Sequence, residues 1–324
     1  MSGRYLLAKI GQAIITIGLL IVLNFVFFRM MPGSPDRVLG RNPNVTAEAI
    51  QATRERWGLD KPVIPDQLVA YVASIAQGDL GYSFVYRGAS VADVLADRIW
   101  PTVILFGLGE LIAIVVGVSL GAYTGWRRGG PIDHIGNGAS LILYATPYFL
   151  IGMVLLLVFA VGLGWFPTYG MTTVGEVYSS PVDQLADYLS HLALPLATVA
   201  LGLIGQYSIV MRSSIVDTLG EEYITTAKAK GIQDVSVLRQ HALPNAMLPM
   251  ATLIAINLGY VIAGAITVEV VFNWPGLGTL TVDALAARDY PVLQGIFLLL
   301  SVSVVFANLI ADVMYQFLDP RVKA

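Results

Sequence analysis

No cysteine occurs among the 324 residues, which excludes disulfides, thiol catalysis and Cys-ligated zinc or iron–sulfur centres. Histidine is almost as scarce. His134, His191 and His241 stand far apart, so a His-based metal site has little to work with. Charge is the third shortage: 13% of residues are charged, against about 25% in soluble proteins. The net charge of -3 and pI of about 5.6 leave no basic footprint, so nucleic acid is not an expected partner. Catalytic signatures are missing as well. The chain has no G-x-x-x-x-G-K-[ST] phosphate loop, no H-E-x-x-H and no G-x-S-x-G. The reading is a chain with no catalytic residues, no metal site and no cofactor of its own.

What is abundant is apolar surface. Hydrophobic residues make up 56% of the chain and the mean hydropathy is +0.71, so much of its exterior must face lipid. Crossing the hydrocarbon core takes about 20 apolar residues. Six stretches meet that test: Ile10–Phe28, Pro101–Trp126, Asn137–Leu163, Tyr188–Met211, Ala246–Val268 and Pro291–Ala311. Only the second carries a charge, Glu110. None alternates with a period of two, as strands of a membrane barrel would. The first stretch, preceded by Arg4 and Lys9, superficially fits a secretory signal. Arg29-Met30-Met31-Pro32 stands where a small-residue cleavage site belongs, so a retained first span is the expectation.

Lys and Arg in the short loops orient the chain. Arg127 and Arg128 follow span two, Arg212, Lys228, Lys230 and Arg239 follow span four, and Arg321 and Lys323 follow span six. The loop after span three has none, and that after span five has only Arg288. Both termini are therefore expected in the cytoplasm. The division is a first transmembrane helix over 1–31, an extracytoplasmic segment over 32–100, a five-helix core over 101–317 and a tail over 318–324. In the external segment Thr46 caps a helix with Glu48 in its first turn, Ile50, Thr53 and Trp57 on one face and Gly58 at its end. A second helix covers Gln67 to Ala76 and stops near Gly78. Cytoplasmic residues 212–245 predict a helix with Glu221 and Glu222 at its start, Lys228 and Lys230 at its end and Gly231 beyond. Asp234 caps another that ends near Ala242, where Pro244 forces a stop.

This cytoplasmic segment reads Glu222-Tyr223-Ile224-Thr225-Thr226-Ala227-Lys228-Ala229-Lys230-Gly231 and then His241-Ala242-Leu243-Pro244-Asn245-Ala246. It resembles the loop of bacterial ABC importer permeases that runs Glu-Ala-Ala, three residues, Gly, nine residues, Ile-x-Leu-Pro. Ala227, Gly231, Leu243 and Pro244 match in register. Thr225, Thr226 and His241 depart from that pattern and look like the peptide-importer branch. Other segments resemble the same branch: Met31-Pro32-Gly33-Ser34-Pro35, Gly58-Leu59-Asp60-Lys61-Pro62, Gly78-Asp79-Leu80-Gly81-Tyr82-Ser83, Gly164-Trp165-Phe166-Pro167, Asn273-Trp274-Pro275-Gly276-Leu277-Gly278, Asp289-Tyr290-Pro291 and Leu318-Asp319-Pro320-Arg321. Singly each is turn chemistry; Pro275-Gly276 suits a type II turn. The long segment between spans one and two resembles the B-type permease of the dipeptide, oligopeptide and nickel family.

The resemblance implies an all-α, polytopic membrane protein with six transmembrane helices, the type I ABC importer permease fold, in the bacterial plasma (inner) membrane. It implies a second related permease subunit, two cytoplasmic ATPase domains that bind ATP and Mg, and an extracytoplasmic substrate-binding protein. Glu222, Ala227, Lys230, Gly231, His241, Leu243 and Pro244 would form the ATPase-coupling loop. Peptides are the expected cargo, with nickel chelates, glutathione or another small solute as alternatives. A secondary transporter is the rival of another class; it predicts broken helices and a paired ion site. A receptor or membrane enzyme would need acid, base or metal ligands clustered near one membrane face.

Ionisable residues sort by depth. Glu110 lies roughly 14 Å into a core of about 30 Å, at ~1.5 Å per residue. There a carboxylate faces protein or a hydrated cavity, as a candidate pathway residue or a hydrogen-bonded tie between helices. Glu269 and Asp312 lie near span ends, where water or headgroups are within reach, so a structural role is expected for both. Asn24, Gln206, Asn257 and Asn308 read as interhelical glue.

Overall fold

The computed structural model describes residues 3–30, 51, 61–86, 89–261 and 266–318. The helix expected between Thr46 and Gly58, the Met31–Pro35 motif, most of the Gly58–Pro62 motif and the tail beyond Leu318 lie outside the described residues. Among the described residues the fold is helical throughout. α1 is Gly3–Met30 and α2 Leu68–Ala76. α3 is Val91–Trp126, capped by Ser90, whose side chain accepts from the Asp93 N–H at 3.1 Å. α4 is Pro131–Ala145 and α5 Tyr148–Leu155, which continues as a π-helical turn over Leu156–Gly162. α6 is Pro181–Leu219, capped by Ser180. α7 is Glu222–Ala229, α8 Leu243–Tyr260, α9 Ile266–Phe272, α10 Leu277–Ala287 and α11 Tyr290–Leu318. α2 begins and ends as the sequence predicts, with Gly78 left-handed just beyond it at φ 75°.

α3 and α6 form the most extensive helix pair, and they run parallel. Gly109 meets Val199, Gly117 meets Ile204 and Tyr207, and Gly125 meets Arg212 and Ile215, so the register climbs together on both helices. A Cβ at Gly117 would stand 2.7 Å from that of Tyr207, and one at Gly125 2.9 Å from that of Ile215. The G-x-x-x-G-x-x-x-G run at 117–125 is what lets the backbones approach.

Span three is two helices, not one. α4 and α5 are bent by 104° at Thr146-Pro147. Pro147 forces Thr146 into an extended conformation, at ψ 124°. The pair nevertheless tracks α6 antiparallel along its whole length. Asp133 meets Arg212, Ser140 meets Ser208, Gly152 meets Thr198, and Ala160 packs in one cluster with Leu192 and Leu194. From Arg212 back to Leu192 is about 30 Å along a helix, the thickness of the hydrocarbon core. The bent pair is thus a single crossing, as it must be if α3 and α6 point the same way. With five single helices long and apolar enough to span, the crossings among the described residues number six.

α1 runs antiparallel to α11. Asn24 Nδ2 donates to the Gln294 carbonyl at 3.0 Å, and Lys9 pairs with Asp312 at 2.8 Å near the other end. Asp312 is partly exposed, in keeping with a carboxylate that reaches water. α1 also meets α2, where the Phe25 and Tyr71 ring centroids lie 5.5 Å apart; elsewhere it is little covered among the described residues, with 6% of its spanning window buried.

Pro244 does not end a helix. Asp234–Ser236, a π-helical turn over Val237–Ala242 and α8 follow one another without a break. Pro244 falls in the first turn of α8, just after the hydrogen bonds step from i−4 to i−5, so its missing N–H costs little. Asp234 is the first helical residue; Gln233 takes the cap position without a side-chain bond.

Candidate functional site

The cytoplasmic segment is a short helix laid against the ends of the spans. Ile224 (1% exposed) and Ala227 of α7 face inward, in a cluster with Met211, Ile215, Val237, Ala242 and Met250. Lys228 Nζ lies 5.5 Å from the centroid of the Trp126 ring, tying α7 to the end of α3 as a cation–π contact. Glu222, Tyr223, Thr225, Thr226 and Lys230 are exposed. Gly231 follows at φ 77°, the left-handed value that favours glycine, and a Cβ there would meet nothing within 4 Å. His241 and Leu243 are half-buried and Pro244 is exposed. The His241 carbonyl accepts from Asn245 Nδ2 at 2.8 Å. Of the seven residues assigned to this loop, Ala227 is thus turned into the chain, and Glu222, Lys230, Gly231 and Pro244 are offered outward.

The base of the loop is braced by an ion pair that sequence reading did not find. Arg212 Nε and Nη2 reach Asp133 Oδ1 and Oδ2 at 2.5 and 2.8 Å, and the Gly129 N–H adds a third donor at 2.8 Å. Asp133 is 2% exposed. The pair joins the first turn of α4 to α6 about two turns before the end of α6.

At mid-membrane, Glu110 is 2% exposed and accepts a hydrogen bond from Tyr207. The Tyr207 hydroxyl in turn accepts from Asn257 Nδ2 at 3.1 Å, and the same amide group reaches Gln206 Oε1 at 3.2 Å. One chain of polar groups therefore joins α3, α6 and α8. Gln206 and Asn257 hold helices together as their amides predict; Tyr207 had no signal beyond an aromatic in an apolar run.

The outer face is fastened by two buried carboxylates. Glu269, read as structural and within reach of water or headgroups, is structural but 0% exposed. Its Oε1 accepts from Thr102 at 2.7 Å, and Oε2 from the Gly278 and Thr279 N–H groups at 2.7 and 3.1 Å. The start of α10 supplies these donors, which is why a carboxylate is tolerated there. Gly276 sits at φ -104°, so Pro275-Gly276 is not a type II turn. The left-handed residue is Asn273, at φ 47°. Trp274 is buried and donates from Nε1 to the Pro101 carbonyl at 2.9 Å. Asp289, also 0% exposed, accepts from Ser83 and from the Phe84 and Val85 N–H groups at 3.1 and 3.2 Å. Two motifs about 200 residues apart are thereby one joint. Asp187, near the start of α6, collects Thr173 and Tyr178 from the loop after span three, and this bond to a carboxylate holds the Tyr178 phenol above its ordinary pKa. Among the described residues no three His, Cys, Asp or Glu side chains are grouped to hold a metal.

Comparison with known proteins places this geometry. The family described as "Binding-protein-dependent transport system inner membrane component" matches residues 113–324. A putative peptide permease protein of Brucella suis is 38% identical, over 99% of both chains. A probable peptide ABC transporter permease of Sinorhizobium fredii is 35% identical over 99% of both. The glutathione transport system permease protein GsiC of Escherichia coli K12 is 36% identical, again over 99% of each. Among solved structures, the inward-facing MetNI methionine ABC transporter aligns at a TM-score of 0.56 and 14% identity, covering 70% of this chain and 96% of that one. That likeness concerns the fold.

Proposed function

The chain belongs to the family of binding-protein-dependent transport system inner membrane components, and from that premise we propose that it is the permease subunit of an ATP-driven peptide importer. It is a multi-pass protein of the inner membrane and a transport component, not a catalytic one. The observation that carries the peptide reading is end-to-end similarity: the relatives at 35–38% identity named as peptide permeases match over 99% of both chains. Glutathione, itself a tripeptide, is the second reading, favoured by the 36% identity to a glutathione permease over the same span.

In this reading the chain lines half of the translocation path, and a second related permease lines the rest. Two ATPase domains bind ATP and Mg and dock beneath α7, and an extracytoplasmic binding protein delivers the cargo. Both termini lie in the cytoplasm. ATP binding closes the ATPase pair, α7 carries that motion through its buried Ile224 and Ala227 into α6 and α8, and the cavity opens outward. Within the path the candidate is Glu110, which would meet a peptide's terminal ammonium once Tyr207 releases it. Its burial and the Tyr207 bond support a tie between spans equally well.

The test is co-purification. With the genes for a second permease, the ATPases and the binding protein co-expressed, a tag on this chain should retrieve both permeases and the ATPases. ATP hydrolysis should rise when peptide-loaded binding protein is added. Peptide uptake by this chain without any ATPase would contradict the reading.

A further inference from the structure

The break in span three stands at the centre of the membrane. Tyr148, the first residue of α5, packs its ring on Gly202 of α6, where no Cβ would fit. Gly202 is midway between Arg212 and Leu192, about 15 Å from either along the helix. The backbone at the break is only partly satisfied. The Thr146 N–H and hydroxyl both close on the Ile142 carbonyl, at 3.0 and 2.6 Å. Among the described residues no hydrogen bond reaches the carbonyls of Tyr144, Ala145 or Thr146. Tyr144 is 60% exposed, and its hydroxyl has no hydrogen-bond partner among the described residues either. Ala145 and Pro147 are exposed as well.

Lipid cannot cover this elbow. Hydrocarbon offers no donor, so irregular backbone at membrane depth survives only inside protein or beside water. The phenol of Tyr144 makes the same demand independently, since tyrosine hydroxyls sit on a partner or at the wet edge of a membrane. What lies nearby favours water. Tyr148 is within electrostatic reach of both Glu110 and Tyr144, so the elbow gathers around the mid-membrane carboxylate. Bare acceptors beside a carboxylate draw N–H donors and cations, not an apolar helix of another chain.

We propose that this elbow faces the aqueous path and holds the main chain of a peptide in transit. Amide N–H groups of the cargo donate to the Tyr144, Ala145 and Thr146 carbonyls, and a cargo carbonyl accepts from the Tyr144 hydroxyl. Main-chain contacts ignore side chains, so the site suits cargo recognised as a peptide whatever its sequence. The inference rests on the peptide reading of the cargo.

The test uses the complete importer in proteoliposomes, with Tyr144→Cys as the only cysteine of the complex and a cationic methanethiosulfonate as the probe. The probe should react at least about tenfold faster there than at Ile14→Cys on the little-covered α1, itself 64% exposed. Tyr144→Phe, which removes the hydroxyl and keeps the ring, should slow dipeptide uptake about 3- to 10-fold at saturating loaded binding protein. A dipeptide methylated on its amide nitrogen should slow the wild type by a similar factor, an effect that a merely structural role would not produce. Reaction at Tyr144→Cys no faster than at Ile14→Cys would mean a cover of lipid or protein and would overturn the proposal. So would wild-type uptake by Tyr144→Phe, or equal uptake of the methylated and unmethylated dipeptides. Absence of peptide uptake by the wild type would instead overturn the reading of the cargo, and this proposal with it.

Discussion

Tyr207 and Glu110 share a hydrogen bond in the middle of the bilayer, on two helices that run parallel and touch through glycine. The bond gives an ionisable group at mid-membrane depth, 2% exposed in this chain, a hydrogen-bond donor, and makes its tolerance depend on that phenol. Tyr207→Phe leaves the carboxylate without its donor and should lower the melting temperature of the complex, at a cost of about 1–3 kcal/mol. Glu110→Leu should cost a similar amount by orphaning Tyr207. Glu110→Gln keeps an acceptor and should melt near wild type. Transport then separates the two roles. Slowed uptake in the stable Gln variant places Glu110 on the path, and wild-type uptake leaves it as a tie between helices.

The glycine face of α3 gives a sharper stability prediction. Gly117→Val inserts atoms where a Cβ alone would already stand 2.7 Å from that of Tyr207. It should cost about 1–3 kcal/mol or more and reduce the yield of assembled complex. Gly138→Ala, with nothing within 4 Å in its helix, should be neutral or stabilising by up to about 1 kcal/mol. Melting of the two variants side by side checks both.

Much of this was legible in the sequence, for identifiable reasons. The spans announce themselves because lipid demands about 20 apolar residues in a row. Gly231 was readable because a helix end leaves only glycine comfortable at positive φ. The failures arose where long-range packing overrides local signals. Glu269 looked close enough to water to be wet, but the folded-back α10 covers it with its own N–H groups. Pro244 looked like a stop, but a π-helical turn ahead of it absorbs the missing donor. Ser83 and Asp289 each sit in a recognisable motif, yet no local pattern says that the two meet. The same holds for Asp133 and Arg212. The G-x-x-x-G-x-x-x-G run was in plain view and would have identified the α3–α6 contact.

Breaking the Asp133–Arg212 pair tests the tie between α4 and α6. Arg212→Gln leaves a carboxylate that is 2% exposed with only the Gly129 N–H. Because Arg212 is itself partly exposed, the loss should fall near the low end of the buried-pair range, about 3 kcal/mol. A double-mutant cycle with Asp133→Asn reads the coupling. An additive result would show that the two side chains do not support each other.

Topology can be read directly because the chain has no cysteine of its own. Cysteine at Val177, which is 88% exposed, should label from outside intact cells. Cysteine at Lys230 should label only after permeabilisation. Labelling of both from the same side would contradict six crossings.

The central claim is that this chain passes the work of separate ATPases to a peptide path through α7 and Gly231. Its most direct test is uptake of a labelled dipeptide or tripeptide into proteoliposomes holding the full importer, with hydrolysis measured in the same vesicles, for wild type and Gly231→Asp. The variant should insert and fold, since no neighbour within the chain approaches that position and the left-handed φ of 77° costs an Asp only about 1–2 kcal/mol. Uptake should fall at least about tenfold while hydrolysis is either lost with the ATPases or continues without transport. Wild-type uptake at wild-type ATP cost in Gly231→Asp would contradict the account.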